Sequence, residues 1–302
     1  MTTTVLVTGA TGGIGGHLLT ALAGREVTVR ALVRDPDRLA GAGGVEVVRG
    51  DLRDPDAVAA ALDGVDAAFL NSPSAPDAAT TQIAVADARR DRRGVPAGAA
   101  VAVRGTGGLP GAVPAPARRG GAARPRPGDR PRGAAAEPVP AGPAGLRPPV
   151  AATGRFGAPI GDAAVSAVDV RDIADAATAV LTGAGGDGAV HDLTGPRAVT
   201  HAGIAAAPTR ATGHPVTFDD LTPEAFAAAL DGVLPPWQAA GPVEDYAHYG
   251  RGEAARVDDA VAVLTGHPAR TLEEFARDHA AAFTPAGRAL RPSRRRAGSR
   301  SR

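Results

Sequence analysis

The sequence predicts a doubly wound α/β fold: a parallel-sheet Rossmann domain followed by a smaller, mainly helical C-terminal lobe. Three observations predict it. Residues 1–88 alternate strand-like and helix-like periods, the pattern of a parallel sheet. A glycine-rich turn, Gly9-Ala10-Thr11-Gly12-Gly13-Ile14-Gly15-Gly16, stands between the first strand and the first helix. Apolar periodicity then resumes near 150 and runs to 283, enough chain for a second lobe with its own core.

Val5-Leu6-Val7 reads as the first strand, and Leu18, Leu19 and Leu22 give the following helix, over 13–23, its apolar stripe. Val27, Val29, Ala31 and Val33 mark a second strand over 27–33. Val45-Glu46-Val47-Val48 is a third, leading to Gly50-Asp51-Leu52. Asp54-Pro55 opens a helix through Leu62, with Asp54 as N-cap and proline at the first helical position. Ala67-Ala68-Phe69-Leu70 is the fourth strand, ending at Asn71-Ser72-Pro73, and a helix follows over 80–88. In the second half, Val165, Ala167, Val168 and Val170 suggest a strand running into a helix that ends near Leu181. His191-Asp192-Leu193-Thr194 suggests another strand, and helices are expected over 200–212, 222–231, 255–265 and 271–283.

Residues 89–149 break the pattern. Pro, Gly, Arg and Ala fill most positions, without strand or helix period, and such a segment cannot bury enough apolar surface to fold. The domain reading is therefore a Rossmann front half over 1–88, an anomalous segment over 89–149, the rest of the sheet plus the C-terminal lobe over 150–283, and a basic disordered tail over 284–302.

Composition narrows the function classes. The chain has 302 residues, 44% hydrophobic but only 3% aromatic, and no cysteine, so disulfides and thiolate chemistry are excluded. It contains no lysine, and all 33 basic residues are arginine. A net charge of +1 provides no global field for nucleic acid, and the arginine runs at 89–93, 118–132 and 288–302 lack interleaved aromatics. Neither a charged-then-apolar leader nor an apolar run long enough for a bilayer is present. The expectation is a cytoplasmic protein with a small-molecule substrate, no membrane partner and no nucleic-acid partner. The oligomeric state is not readable.

The glycine turn carries the chemistry. Residues without a Cβ let the backbone approach a pyrophosphate, and a helix N-terminus offers unpaired N–H groups and a positive dipole end. Gly9, Gly12 and Gly15, with Thr11, Gly13 and Ile14 between them, form G-x-x-G-x-x-G, a relative of the dinucleotide fingerprint. Tight strand–helix packing is the competing explanation for the glycines. Arg34 ends the second strand, where NAD-binding sheets carry an acid for the ribose hydroxyls. An arginine there instead suits the 2′-phosphate of NADP. Arg38 is a second candidate contact, and Asp35 keeps NAD open as the alternative. Asn71 and Ser72 fall at the carboxyl end of the fourth strand, on the edge where open α/β sheets bind ligands, although a simple loop accounts for them too.

Several motifs in order resemble the NmrA-like branch of the atypical short-chain dehydrogenase/reductase superfamily. They are Val7-Thr8-Gly9-Ala10-Thr11-Gly12-Gly13-Ile14-Gly15, Ala31-Leu32-Val33-Arg34, Gly50-Asp51-Leu52, Ala152-Thr153-Gly154-Arg155-Phe156, Val168-Asp169-Val170-Arg171-Asp172-Ile173, Asp192-Leu193-Thr194-Gly195-Pro196 and Thr271-Leu272-Glu273-Glu274-Phe275-Ala276. The resemblance implies an NAD(P)H-dependent oxidoreductase acting on a quinone-like or similar small acceptor, with a non-catalytic NAD(P)-sensing regulator as the alternative. It also implies that Asp51 and Leu52 flank the adenine, although Asp51 equally suits a turn cap.

The family's middle segment, with a fifth strand and patterns like F-L-R-x-H-x-E-V-E and V-L-R-P-N-x-F, is missing from this chain. In a reading frame displaced by one base, Ala112–Gly121 permits R-F-L-R-Q-H-G-E-V-E and Arg132–Ala144 permits V-V-L-R-P-N-L-F-L-Q-G-L-L. Two compensating frameshifts, near 89 and near 146, account for this, with a genuine disordered insert as the alternative. The first of these adds an inactive product to the functional readings.

No catalytic residue emerges. The Tyr-x-x-x-Lys mechanism of typical short-chain dehydrogenases is excluded without lysine, and Tyr246 and Tyr249 lie late in the chain. His17 is given no catalytic role, and His191, His201, His248 and His279 have no metal-ligand spacing. Asp169 and Asp172 read as capping and helix-dipole residues, and Trp237 as a pocket or core residue.

Overall fold

The computed structural model describes residues 2–72, 75–90, 100–102, 133–136, 147–183 and 190–284. Thr3–Thr8 (β1), Val27–Val33 (β2), Val45–Arg49 (β3) and Ala67–Leu70 (β4) pair in parallel, in the order β3-β2-β1-β4. Ala100–Ala102 (β5) adds a fifth strand against β4, with Ala68 opposite Ala100.

Both faces are covered, and the strands show it residue by residue. Val5, Val7, Val29, Ala31, Val33, Ala67 and Phe69 face helix Gly13–Leu22 (α1) and helix Val170–Leu181 (α5). The alternate residues Leu6, Leu32, Ala68 and Leu70 face helix Pro55–Ala61 (α2) and helix Ala78–Arg90 (α3) through Val58, Ala61 and Val85. A strand buried on both sides reads as an unbroken apolar run, as β1 and β4 do. The small residues Ala174, Ala176 and Ala177 of α5 are buried where it packs against α1.

Helix Arg147–Thr153 (α4) leads into the C-terminal lobe. There Arg155–Ala158 (β7) pairs in parallel with Thr217–Asp220 (β11), and Ala164–Val165 (β8) pairs antiparallel with Val199–Thr200 (β10). Around these ribbons stand helices His201–Thr212 (α6), Pro223–Leu230 (α7), Pro236–Gly250 (α8) and Leu272–Asp278 (α10), whereas Ala260–Thr265 (α9) packs on α5 and joins the sheet core through Ala260, Val261 and Leu264. The lobe core gathers Phe156, Phe226, Tyr246, Tyr249, Phe275 and Phe283, with Phe218 packed against it.

Four sequence expectations change. The 89–149 segment, read as lacking strands, contributes β5 and Gly133–Ala136 (β6), which pairs in parallel with Val190–Leu193 (β9). Three or four small residues are too short to show a period, and sheet-edge hydrogen bonding selects them instead. The strand expected through 165–170 stops at Val165, because the Asp169 carboxylate accepts the Arg171 N–H at 2.9 Å and starts a helix. The helix expected over 255–265 begins only at Ala260. Helix α8 falls in a stretch for which no helix was expected; Pro236 occupies its first turn, where proline is at home, and the helix continues through Pro242. The displaced-frame motif at 112–121, the one at 132–144 apart from Gly133–Ala136, and the basic tail beyond 284 lie outside the described residues.

Candidate functional site

At the carboxyl edge of the sheet, the ends of β1, β2, β3 and β4 surround one cavity of about 340 Å³. Open parallel sheets bind ligands at this edge, because the loops diverge where the strand order reverses. Here the reversal falls between β1 and β4.

The floor is the glycine turn. Gly9 adopts φ +64, and a Cβ there would stand 2.7 Å from the Asn71 carbonyl oxygen. Only glycine fits both demands. The Gly12 N–H donates to the Gly9 carbonyl at 2.9 Å, closing the turn. Gly12 is also the N-cap of α1, with no side-chain cap and no acidic residue in the first helical turn. The positive end of α1 is thus left for an anion rather than satisfied internally.

The other glycines of the motif have different reasons. A Cβ on Gly15 would sit 2.2 Å from the Gly9 carbonyl oxygen, so this glycine lets α1 pack onto its own turn. Gly13 has nothing within 4 Å of its would-be Cβ. Ile14 packs against the sheet core. Gly9, Thr11 and Gly12 line the cavity; Gly13, Ile14 and Gly15 stand outside its lining.

Thr8 fixes the floor to its neighbour. Its hydroxyl accepts the Asn71 N–H at 2.8 Å and lies 3.1 Å from the Phe69 carbonyl oxygen and 2.9 Å from that of Asn71. The ends of β1 and β4 are thereby held in register, and Asn71 and Ser72 are placed in the cavity wall. Gln82 Nε2 donates to Ser72 Oγ at 2.7 Å and orients that hydroxyl.

Arg34 and Arg38 line the β2 end. Both are exposed, and neither has an ion-pair or hydrogen-bond partner through its guanidinium among the described residues. Asp35 is differently employed: its carboxylate accepts the Asp37 N–H at 3.2 Å and caps a short 3-10 turn, Pro36–Leu39. It does not line the cavity, whereas the two arginines do. Asp51 and Leu52 line the β3 end, and the Asp51 carboxylate caps its own turn by accepting the Arg53 N–H at 2.9 Å. Gly50 is required because a Cβ there would approach Ala57 Cβ of α2 to 2.4 Å.

Sequence reasoning missed Arg53 and Asp77. Both line the cavity, joined by two hydrogen bonds of 2.6 and 2.8 Å. No local spacing signals a pair 24 positions apart.

The remaining candidates fall elsewhere. His17 is exposed on α1, and Trp237 is exposed at the start of α8, outside both the carboxyl-edge cavity and the core. Tyr246 is buried in the lobe, where its hydroxyl lies 3.2 Å from His201 Nε2. Burial, reinforced by the nearby Tyr249 and Asp245, pushes the Tyr246 hydroxyl far above its ordinary range, so it holds its proton at neutral pH. Burial also lowers His201 to about 4. Asp169 caps α5 as expected; burial works to raise its carboxyl, but hydrogen bonds from Arg171 outweigh that and hold it low. Asp172 lies in the first turn of α5, as a helix-dipole residue would, but has a second role. It is fully buried and accepts the Arg270 N–H at 2.7 Å and a guanidinium hydrogen bond from Arg270. Among the described residues no cluster of His, Asp and Glu could hold a metal ion, and no helix is long and apolar enough to cross a membrane.

The NmrA-like family matches residues 1–96. A (4-alkanoyl-5-oxo-2,5-dihydrofuran-3-yl)methyl phosphate reductase of Streptomyces griseus is 35% identical over 294 residues, 93% of this chain and 99% of the relative. An NAD(P)H azoreductase of Xenophilus azovorans is 35% identical over 289 residues, 92% of this chain and 99% of the relative. Among solved structures, an NADPH-dependent quinone oxidoreductase from Escherichia coli in complex with NADPH superposes with a TM-score of 0.72 at 25% identity, over 91% of this chain and 99% of that one.

Proposed function

Because the chain belongs to the NmrA-like family, we propose that it is an NAD(P)H-dependent oxidoreductase that binds NADP in the carboxyl-edge cavity and reduces a quinone-like or similar small acceptor. The observation that carries this reading is the cradle itself. Gly9 and Gly12 form a surface a Cβ would fill, at an uncapped helix N-terminus, with two arginines at its rim that have no partner among the described residues. The residues present fit a dinucleotide.

When bound, the nicotinamide supplies the hydride. The turn from Gly9 to Gly12 and the first N–H groups of α1 take the pyrophosphate. Arg34, with Arg38 beside it, takes the 2′-phosphate, and Asp51 and Leu52 border the adenine. Asp35 is spent on its own turn, which favours NADP over NAD. Asn71 and Ser72 bound the cavity next to the glycine turn and, held by Thr8 and Gln82, arrive already oriented. Catalysis proceeds without a Tyr–Lys pair: the chain has no lysine, and the Tyr246 hydroxyl is committed to the lobe core. An acceptor that becomes conjugated or aromatic on reduction needs little help from a protein acid. The lack of cysteine and of a membrane-spanning helix among the described residues accords with a cytoplasmic setting.

The test is a titration of purified protein with NADPH and NADH, followed by nicotinamide absorbance against a panel of quinones. Turnover supports the reductase. Tight binding without turnover would favour an NAD(P)-sensing regulator, and neither would favour an inactive product of a displaced frame. Arg34→Ala is expected to weaken NADPH roughly tenfold or more, the loss of a charge-assisted hydrogen bond, while leaving NADH nearly unchanged. Equal weakening of both would remove the basis for NADP.

A further inference from the structure

We propose that Arg53 and Asp77 form a latch on the nucleotide-binding cavity, closing its wall between α2 and α3 and opening to admit and release the cofactor. This rests on the NADP reading of the site. Arg53 lies in the loop between β3 and α2, and Asp77 immediately precedes α3. The two helices pack on the same face of the sheet, so their N-terminal ends stand side by side at the cavity. The guanidinium meets the carboxylate with both arms of its fork: Nε donates to Oδ2 at 2.6 Å and Nη2 to Oδ1 at 2.8 Å.

Two features make this a latch rather than a rivet. First, among the described residues it is the sole hydrogen-bonded link between the 50–54 loop and residues 71–72 and 75–82, which supply adjoining stretches of the cavity wall. Second, the side chains are 54% and 47% exposed. A forked arginine–carboxylate pair has well-defined geometry, but at such exposure water and salt compete for both partners, so it contributes little and opens readily. Only the two side chains need to part when it opens, because both backbones stay anchored: Leu52 packs against the core under α2 and Ala78 is buried, Asp51 holds the Arg53 N–H within its own loop, and the Asp77 carbonyl keeps the first α3 bond to Thr81 N–H.

The experiment measures NADPH release by stopped-flow chase for wild type, Arg53→Ala, Asp77→Ala and the charge swap Arg53→Asp/Asp77→Arg. A latch requires both single variants to speed release in the same direction, by about fivefold, the scale of an exposed forked pair. The swap should return release to within about twofold of wild type, because it restores the pair with its charges exchanged. Amide exchange in the ligand-free protein supplies a readout independent of binding: the first turn of α3 should exchange faster in both single variants and recover in the swap. If Arg53→Ala speeds release while Asp77→Ala slows it, Arg53 is a cation for a cofactor phosphate that Asp77 competes for, and the latch is wrong. Wild-type release rates in all variants, with NADPH bound, would sink the latch and leave the cofactor reading standing. No NADPH binding by wild type would sink both.

Discussion

Phe69 is the one aromatic ring among the buried residues of the two clusters that flank the sheet, whereas the C-terminal lobe buries Phe156, Phe226, Tyr246, Tyr249, Phe275 and Phe283 together. The sheet domain is built for close backbone approach. Its tight places are Gly9 against Asn71, Gly15 against Gly9 and the alanine-rich flank of α5 beside α1. The lobe is built from rings, with Tyr246 meeting Phe226 at 83°, Tyr249 at 79° and His201 at 67°. Such edge-on contacts add to the burial of the rings themselves. A site that must bring its backbone against a phosphate needs the first kind of core. The second kind holds a shape without presenting backbone to anything.

The comparison breaks first at Gly15. Gly15→Val would place a Cβ 2.2 Å from the Gly9 carbonyl oxygen and 2.8 Å from Ala10 Cα, with no flexible side chain to yield. The expected cost is about 4 kcal/mol, together with loss of NADPH binding, read by denaturant titration and cofactor titration. Retained binding with wild-type stability would show that the turn is not backbone-tight.

The joint between the regions comes next. Asp172 on α5 is 0% exposed and answers to Arg270 from the segment preceding α10, which also reaches Asp175 at 2.8 Å. Burial raises the Asp172 carboxyl, which the paired Arg270 only partly offsets. Arg270→Ala strands that acid and should cost about 3 kcal/mol by denaturant titration, whereas Asp172→Leu/Arg270→Met should cost less than the single change.

Within the lobe, His201 tests whether the ring cluster tolerates charge. Its Nδ1 is buried without a hydrogen-bond partner among the described residues. Its folded value of about 4 lies below the ordinary 6.5, so the unfolded chain binds the proton first and acid favours unfolding. Stability should therefore fall by about 2 kcal/mol between pH 7 and pH 5. His201→Leu should flatten that slope while lowering stability at pH 7, since Tyr246 loses its partner. Denaturant titrations at the two pH values measure both; an unchanged slope would place the proton elsewhere. His279, also lowered by burial, adds a weaker term of the same sign.

The smallest expected effect sharpens the contrast within one motif. Gly13→Ala meets nothing within 4 Å and should shift stability by no more than ~0.5 kcal/mol, in either direction, with NADPH binding intact.

Local signals in the sequence carried the strand–turn–helix of β1 and α1, and the starts of α2, α5 and α10. Each of those three starts is decided by a residue and its next few neighbours. Asp54 accepts the N–H groups of Asp56 and Ala57, and Thr271 and Glu274 close a capping box. The candidate cavity was legible to the same extent, since Gly9, Gly12, Arg34, Asp51 and Asn71 each end or follow a strand with a readable period. What escaped was set by strand order instead. Thr8 meets Asn71 across 63 positions, Arg53 meets Asp77 across 24, and Arg270 meets Asp172 across 98. No spacing rule links such pairs. Asp172 shows the consequence: three residues after a true cap it resembles a helix-dipole acid, and only the packing of the C-terminal segment makes it a buried partner.

The Thr8 hydroxyl has one more effect. By joining β1 to β4 at the cavity floor it fixes Asn71 against Gly9 of the glycine turn in the ligand-free protein. Little conformational freedom then remains to be lost on association, so dinucleotide binding should be fast and its calorimetric entropy mild, with ordering confined to the arginine rim. A single threonine methyl-for-hydroxyl exchange, Thr8→Val, would convert that ready-made floor into one the ligand must assemble.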